Sequence, residues 1–89
     1  MAQIDFVKLT KEWKPFAEIV ADIGTKEYII QNRGFDTLVA LEADSTPAAD
    51  NQEGVLILPN DCAVYVKGEQ NLYLRAFNQN CSINVTEGE

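Results

Sequence analysis

The chain has 89 residues, 46% of them hydrophobic, with 14 acidic against 7 basic side chains and a net charge of −7. That length holds one small domain and excludes doubly wound nucleotide-binding folds and (β/α)₈ barrels, which need much longer chains. The acidic excess has no block character, with five basic against eight acidic residues in 1–44 and two against six in 45–89. It argues against direct nucleic-acid binding, which needs Lys and Arg gathered on one face.

The first 25 residues admit two readings. Leu9, Trp13, Phe16, Ala17, Val20 and Ile23 follow a helical spacing. Pro15 opposes a helix, because inside one it removes a hydrogen bond and clashes with the preceding turn at a cost of about 3 kcal/mol. Two strands are preferred, Asp5 to Leu9 and Trp13 to Ile19, joined by the turn Thr10-Lys11-Glu12.

From Lys26 onward short apolar runs alternate with turn residues, the pattern of an all-β sandwich or barrel. Glu27 to Gln31 and Thr37 to Glu42 are predicted strands, and the short Asn32 to Asp36 segment between them suits a hairpin. Ala43 to Glu53 is the one long polar loop candidate. Gly54 to Leu58 is continuously apolar, which predicts a strand buried on both faces. Cys62 to Lys67 and Asn71 to Phe77 follow, separated by Gly68-Glu69-Gln70. In the second of these Leu72, Leu74 and Ala76 share one face, and Tyr73, Arg75 and Phe77 the other. Asn78-Gln79-Asn80 reads as another hairpin turn into Cys81 to Thr86, with Ile83 and Val85 inward, before a frayed acidic end at Glu87-Gly88-Glu89. The expected fold is a single all-β domain over residues 1–89, a small antiparallel β sandwich or jelly-roll-like barrel of seven to eight short strands.

The chemistry is sparse. Histidine is absent, which removes the commonest general base, the usual zinc ligand and every His-containing triad. No glycine-rich phosphate loop, paired carboxylates or nucleophile motif is visible, so the expectation is a non-enzyme without cofactor. Cys62 and Cys81 lack C-x-x-C spacing and fall at predicted strand starts, where both are expected to be buried free thiols. Met1 to Asp5 has no basic-then-apolar leader pattern, and no apolar run approaches the 18 residues of a membrane span, so a chain that stays soluble in the cytosol where it is made is expected. Asp44, Asp50, Asn51 and Glu53 in the long loop are oxygen donors of the kind calcium takes, but their spacing is not that of a twelve-residue calcium loop, and a solvated loop is the plainer reading.

Tyr73, Arg75 and Phe77 carry more information, because Tyr, Arg and aromatic residues concentrate where interfaces gain their energy. The same face could instead be a second buried layer with Arg75 paired to an acidic neighbour at the rim, or a platform on which a sugar stacks. Trp13 has the same alternatives.

Five segments in order, Tyr28 to Gly34, Ala43 to Asp50, Gly54 to Pro59, Asn71 to Ala76 and Val85 to Gly88, resemble small virion structural proteins of tailed bacteriophages and prophages. The likeness rests on an "IQN-x-G" strand end, a "P-A-A-D" loop and an "LY-x-RA" strand. It implies a non-enzymatic role in the virion, foremost as a capsid decoration or cement subunit docking on the head lattice. Trp13, Tyr73, Arg75 and Phe77 would then make the contacts, the Ala43 to Glu53 loop would reach a neighbour, and self-association would accompany docking, with no direct nucleic-acid or membrane partner. The alternative is a tail or fibre host-attachment module that binds carbohydrate.

Overall fold

The computed structural model describes residues 3–20, 27–51 and 53–87, with side chains from residue 7 onward. Eight strands form, β1 (Gln3–Leu9), β2 (Lys14–Pro15), β3 (Glu27–Asn32), β4 (Leu38–Ala43), β5 (Val55–Ile57), β6 (Cys62–Val66), β7 (Asn71–Ala76) and β8 (Cys81–Glu87). They make two four-stranded antiparallel sheets, ordered β1-β8-β3-β6 and β2-β7-β4-β5. Only β4 and β5 are both consecutive and paired; every other connection passes from one sheet to the other, which is the jelly-roll winding.

The core follows from alternation. In β3, β7 and β8 every second side chain turns inward: Tyr28 and Ile30, then Leu72, Leu74 and Ala76, then Cys81, Ile83 and Val85. Phe16 enters this core edge-on to Tyr28 and Tyr65, with ring centroids 5.5 and 5.4 Å apart.

Five expectations need correction. The strand over Trp13 to Ile19 is only Lys14–Pro15, followed by a 3-10 turn at Phe16–Glu18. Pro15 sits at φ −64 and ψ 135, so it ends the strand as an extended residue, and the turn behind it swings Phe16 into the core. The hairpins at Asn32 to Asp36 and Asn78 to Asn80 are crossings between sheets; turn chemistry reverses a chain but does not say which strand it will meet. The apolar run of β5 lies at a sheet edge with only Ile57 buried, because the winding gives β5 a single neighbour. Cys62, at the start of edge strand β6, is exposed, whereas Cys81 is buried. Glu87 is not frayed but closes β8 opposite Tyr28; residues 88–89, like Ile23, lie outside the described residues.

The three crossings β3–β4, β5–β6 and β7–β8 meet at one end of the sandwich, around Asn32. Its fully buried amide donates to the carbonyls of Asp36 (2.8 Å) and Ile57 (2.9 Å), and its Oδ1 accepts from the Gly34 N–H (3.0 Å) and the Cys81 thiol (3.0 Å). Asn32 thereby ties the ends of both sheets. Gly34 is needed beside it, since a Cβ there would lie 2.8 Å from the Ser82 backbone nitrogen. Burial and the neighbouring Asp36 charge, only partly offset by a Gly34 backbone bond, push the Cys81 thiol up to about 11. Asp36 adds a second clasp, its carboxylate accepting from the backbone N–H groups of Thr37, Asn78 and Gln79, each at 2.8 Å.

Replacing Asn32 by Ala strands the two carbonyls and the Gly34 N–H, and a loss of about 3 kcal/mol or more is expected in denaturant unfolding. Burial raises the Asp36 pKa, but the bonds from Gln79, Asn78 and Thr37 outweigh it and the net shift is downward. Asp36 therefore contributes stability that is present above the ordinary Asp pKa of about 3.9 and is lost as pH falls through its lowered native value. Thermal melts at descending pH should show an acid limb that Asp36→Asn flattens, with the variant less stable at pH 7 and the two chains converging in strong acid.

Candidate functional site

Tyr73 and Arg75 point to the outer face of β7, the strand flanked by β2 and β4, where they oppose Leu41 and Val39 in register. This face is covered. Trp13, Val39 and Tyr73 form a second apolar cluster outside the sheet, with Leu41 and Ala43 packed against it. The β4–β5 loop folds back over the cluster, and the Trp13 indole N–H donates to the Ala48 carbonyl at 3.1 Å. The middle of the long loop is thus strapped to its own sheet. Its Asp44, Asp50 and Glu53 are exposed, and Asn51 Oδ1 accepts the Glu53 N–H at 2.8 Å. Among the described residues no three His, Cys, Asp or Glu side chains gather to hold a metal.

Arg75 is 4% exposed, and its guanidinium carbon lies 5.1 Å from the centroid of the Trp13 ring. Desolvated cation–π pairs of this kind are worth about 2 kcal/mol. Nη1 donates to the Ala76 carbonyl at 3.1 Å and, at 3.5 Å, to that of Phe77, while Nε is buried with no partner. The acidic neighbour offered as one reading of Arg75 is missing among the described residues, whose one ion pair is Lys14–Glu18 at 3.8 Å.

Trp13, Arg75 and Phe77 line one open recess of about 580 Å³, walled also by Lys11, Glu12, Thr46, Pro47 and Ala49. Tyr73 does not join them; it lines a separate hollow of about 130 Å³ with Pro15, Ala17, Tyr65 and Lys67. Of the three in the recess, Phe77 is the exposed one, and Trp13 is buried with Arg75 over its ring. A sugar would find one free aromatic face there, not two.

A second surface was not singled out in the sequence. Val55, Leu56 and Leu58 on and beside β5, Val64 and Val66 on β6, and Ile29, which faces Val64 in register, are all exposed. β5 and β6 each form one edge of their sheet, the opposite edges being β2 and β1, and they flank an apolar opening of about 300 Å³ into the sandwich, lined by Ile30, Ala40, Ile57 and Tyr65 among others. The Tyr65 hydroxyl is buried without a partner there, and burial, with the Glu42 charge second, pushes its pKa up. The signal that could have located this side was the absence of charge from Gly54 to Leu58 and from Cys62 to Val66. Phe35 projects fully into solvent at the other loop tip, beside Gly34.

Trp13→Phe keeps an aromatic ring under Arg75 but removes the bond to Ala48. A modest destabilisation of about 1 kcal/mol is expected, with faster limited proteolysis within residues 44–53. Trp13→Ala should cost about 3–5 kcal/mol in denaturant unfolding, as large-to-small changes of buried aromatics do. Comparisons of the chain with family models, with curated proteins and with solved structures find no match in any of the three.

Proposed function

We propose that this chain is a non-enzymatic structural subunit of a tailed-phage virion, docking on the head lattice as a decoration or cement protein. The observation that carries the reading is the apolar side at β5 and β6, which holds six of the eight large exposed hydrophobics among the described residues. They flank one edge of the sandwich, Leu56 on the outer face of one sheet and Ile29, Val64 and Val66 on the outer face of the other, and large apolar side chains left exposed together mark interaction sites. Two free strand edges beside them supply unpaired N–H and C=O groups that a neighbouring strand can extend.

The resemblance of five ordered segments to phage virion proteins supplies the class of partner. The jelly-roll winding is compatible, since capsid domains use it, although lectins and cupins do too and a fold alone does not set a function. Net charge −7 keeps free subunits apart in the host cytoplasm. Repetition on a symmetric shell then makes individually weak contacts add up, and the same edges can pair with a second copy. The other reading, a carbohydrate-binding host-attachment module of the tail, has only Phe77 as a stacking face and so has less geometry behind it.

Leu56→Glu and Val64→Glu alter exposed positions, so unfolding midpoints should change little. In particles produced by the genome that encodes the chain, mass spectrometry should find the unaltered protein in many copies and each variant depleted. Absence of the unaltered chain from purified particles, or full retention of both variants, overturns the proposal. Glycan-array binding by a chain found only at tail stoichiometry would favour the other reading.

A further inference from the structure

Arg75 is the most heavily buried charge among the described residues, and its situation is incomplete. A buried cation is normally paired with an anion. Arg75 instead has a Trp ring and two main-chain carbonyls, and its Nε–H, with no partner, belongs to a side chain that lines the recess between Trp13 and Phe77. From these observations we propose that this recess is a carboxylate-binding site, with Arg75 as the group that holds the anion.

The geometry suits that ligand. Carboxylates engage guanidinium groups through parallel N–H bonds in which Nε–H is one of the two donors used in side-on pairs, and because Nε is buried this pairing requires the side chains over it to part on binding. The recess volume of about 580 Å³ lies within the range of small-ligand sites. Lys11 and Glu12 both line it, so their charges offset and Arg75 supplies the one unmatched positive charge. A singly charged anion balances it, whereas a doubly charged phosphate would add repulsion in a chain already at −7. Pro47 and Phe77 give an apolar wall for the organic part of the ligand. The carboxylate could be carried by a free organic acid or by a Glu or Asp side chain of a protein. The site uses none of the exposed residues of the β5 and β6 edges and stands whether or not the chain belongs to a virion.

The chain contains one Trp, so its intrinsic emission reports on this recess, and its second arginine, Arg33, is an exposed internal control. The unaltered chain is titrated at constant ionic strength with sodium acetate and with a neutral-capped peptide carrying one Glu, against sodium chloride and sodium phosphate. Trp emission and the Arg Nε–H cross-peaks in 15N-resolved NMR are followed together. Saturable emission change with a downfield displacement at Arg75 and not at Arg33, on the order of millimolar for a lone carboxylate, is the expected result. Response to acetate identifies a free acid as sufficient; response to the Glu peptide alone identifies a protein side chain as the source. Arg75→Lys, which keeps the charge and loses the planar fork, should weaken binding about tenfold; because the NMR signal is read on the unaltered chain, a variant that fails to fold does not remove the test. No response to either carboxylate beyond that of chloride, or an equal response to phosphate, overturns the proposal.

Discussion

The fold depends on one buried amide. A jelly roll passes its chain from sheet to sheet at the ends of the sandwich, and the crossings bring main-chain polar groups to the margin of an apolar core. Those groups must be paired or the crossing is costly. Asn32 answers this with two N–H donors spent on the Asp36 and Ile57 carbonyls and an oxygen that receives Gly34 N–H and the Cys81 thiol. Its own backbone takes part as well, donating to the Asp61 carbonyl and accepting from the Asn60 N–H, each at 2.9 Å. The ends of β3, β4, β5, β6 and β8 are thereby tied together. The same convergence explains why Asn60 adopts φ 72, a left-handed conformation that Asn tolerates, and why Gly34 has no room for a Cβ.

With that end closed, the two remaining surfaces are treated differently. The outer face of the β2-β7-β4-β5 sheet is covered by Trp13 and the loop strapped to it, so a position that alternation assigns to solvent becomes a second small core. The side at β5 and β6 has no such cover, and there valines and leucines face water beside two unpaired strand edges. The two sides of the molecule therefore differ, one strapped by its own loop and the other exposing large aliphatic side chains beside the β5 and β6 edges. The recess at Arg75 lies on the covered face, walled by Trp13 and by Thr46, Pro47 and Ala49 of the strapping loop.

Much of the strand content was legible because period-two alternation is a local property. β3, β7 and β8 appear within a residue or two of where Tyr28-Ile30, Leu72-Leu74-Ala76 and Ile83-Val85 put them. Pro15 correctly excluded a helix through the apolar positions from Trp13 to Val20, although the segment it leaves is a two-residue strand and a 3-10 turn. Burial was less legible. The run Val55-Leu56-Ile57 looks like a central strand from its composition, and only the topology makes it an edge. Cys62 and Cys81 look equivalent, each beginning a strand, yet β6 is an edge and β8 lies between β1 and β3. Of the four contact candidates, Trp13, Arg75 and Phe77 converge on one recess while Tyr73 faces another.

The sequence by itself determined that the chain is all-β, where most strands lie and which faces of β3, β7 and β8 turn inward, because alternation, turn residues and proline act over a few positions. Tertiary structure alone decided which strands pair, that consecutive strands mostly belong to opposite sheets, that Asn32 is the joint between them, and that Arg75 is buried against Trp13 with no acidic partner among the described residues. Those outcomes depend on contacts between residues far apart in the chain. A turn such as Asn78 to Asn80 has the same composition whether it closes a hairpin or crosses a sandwich, and only the packing of the two sheets distinguishes them.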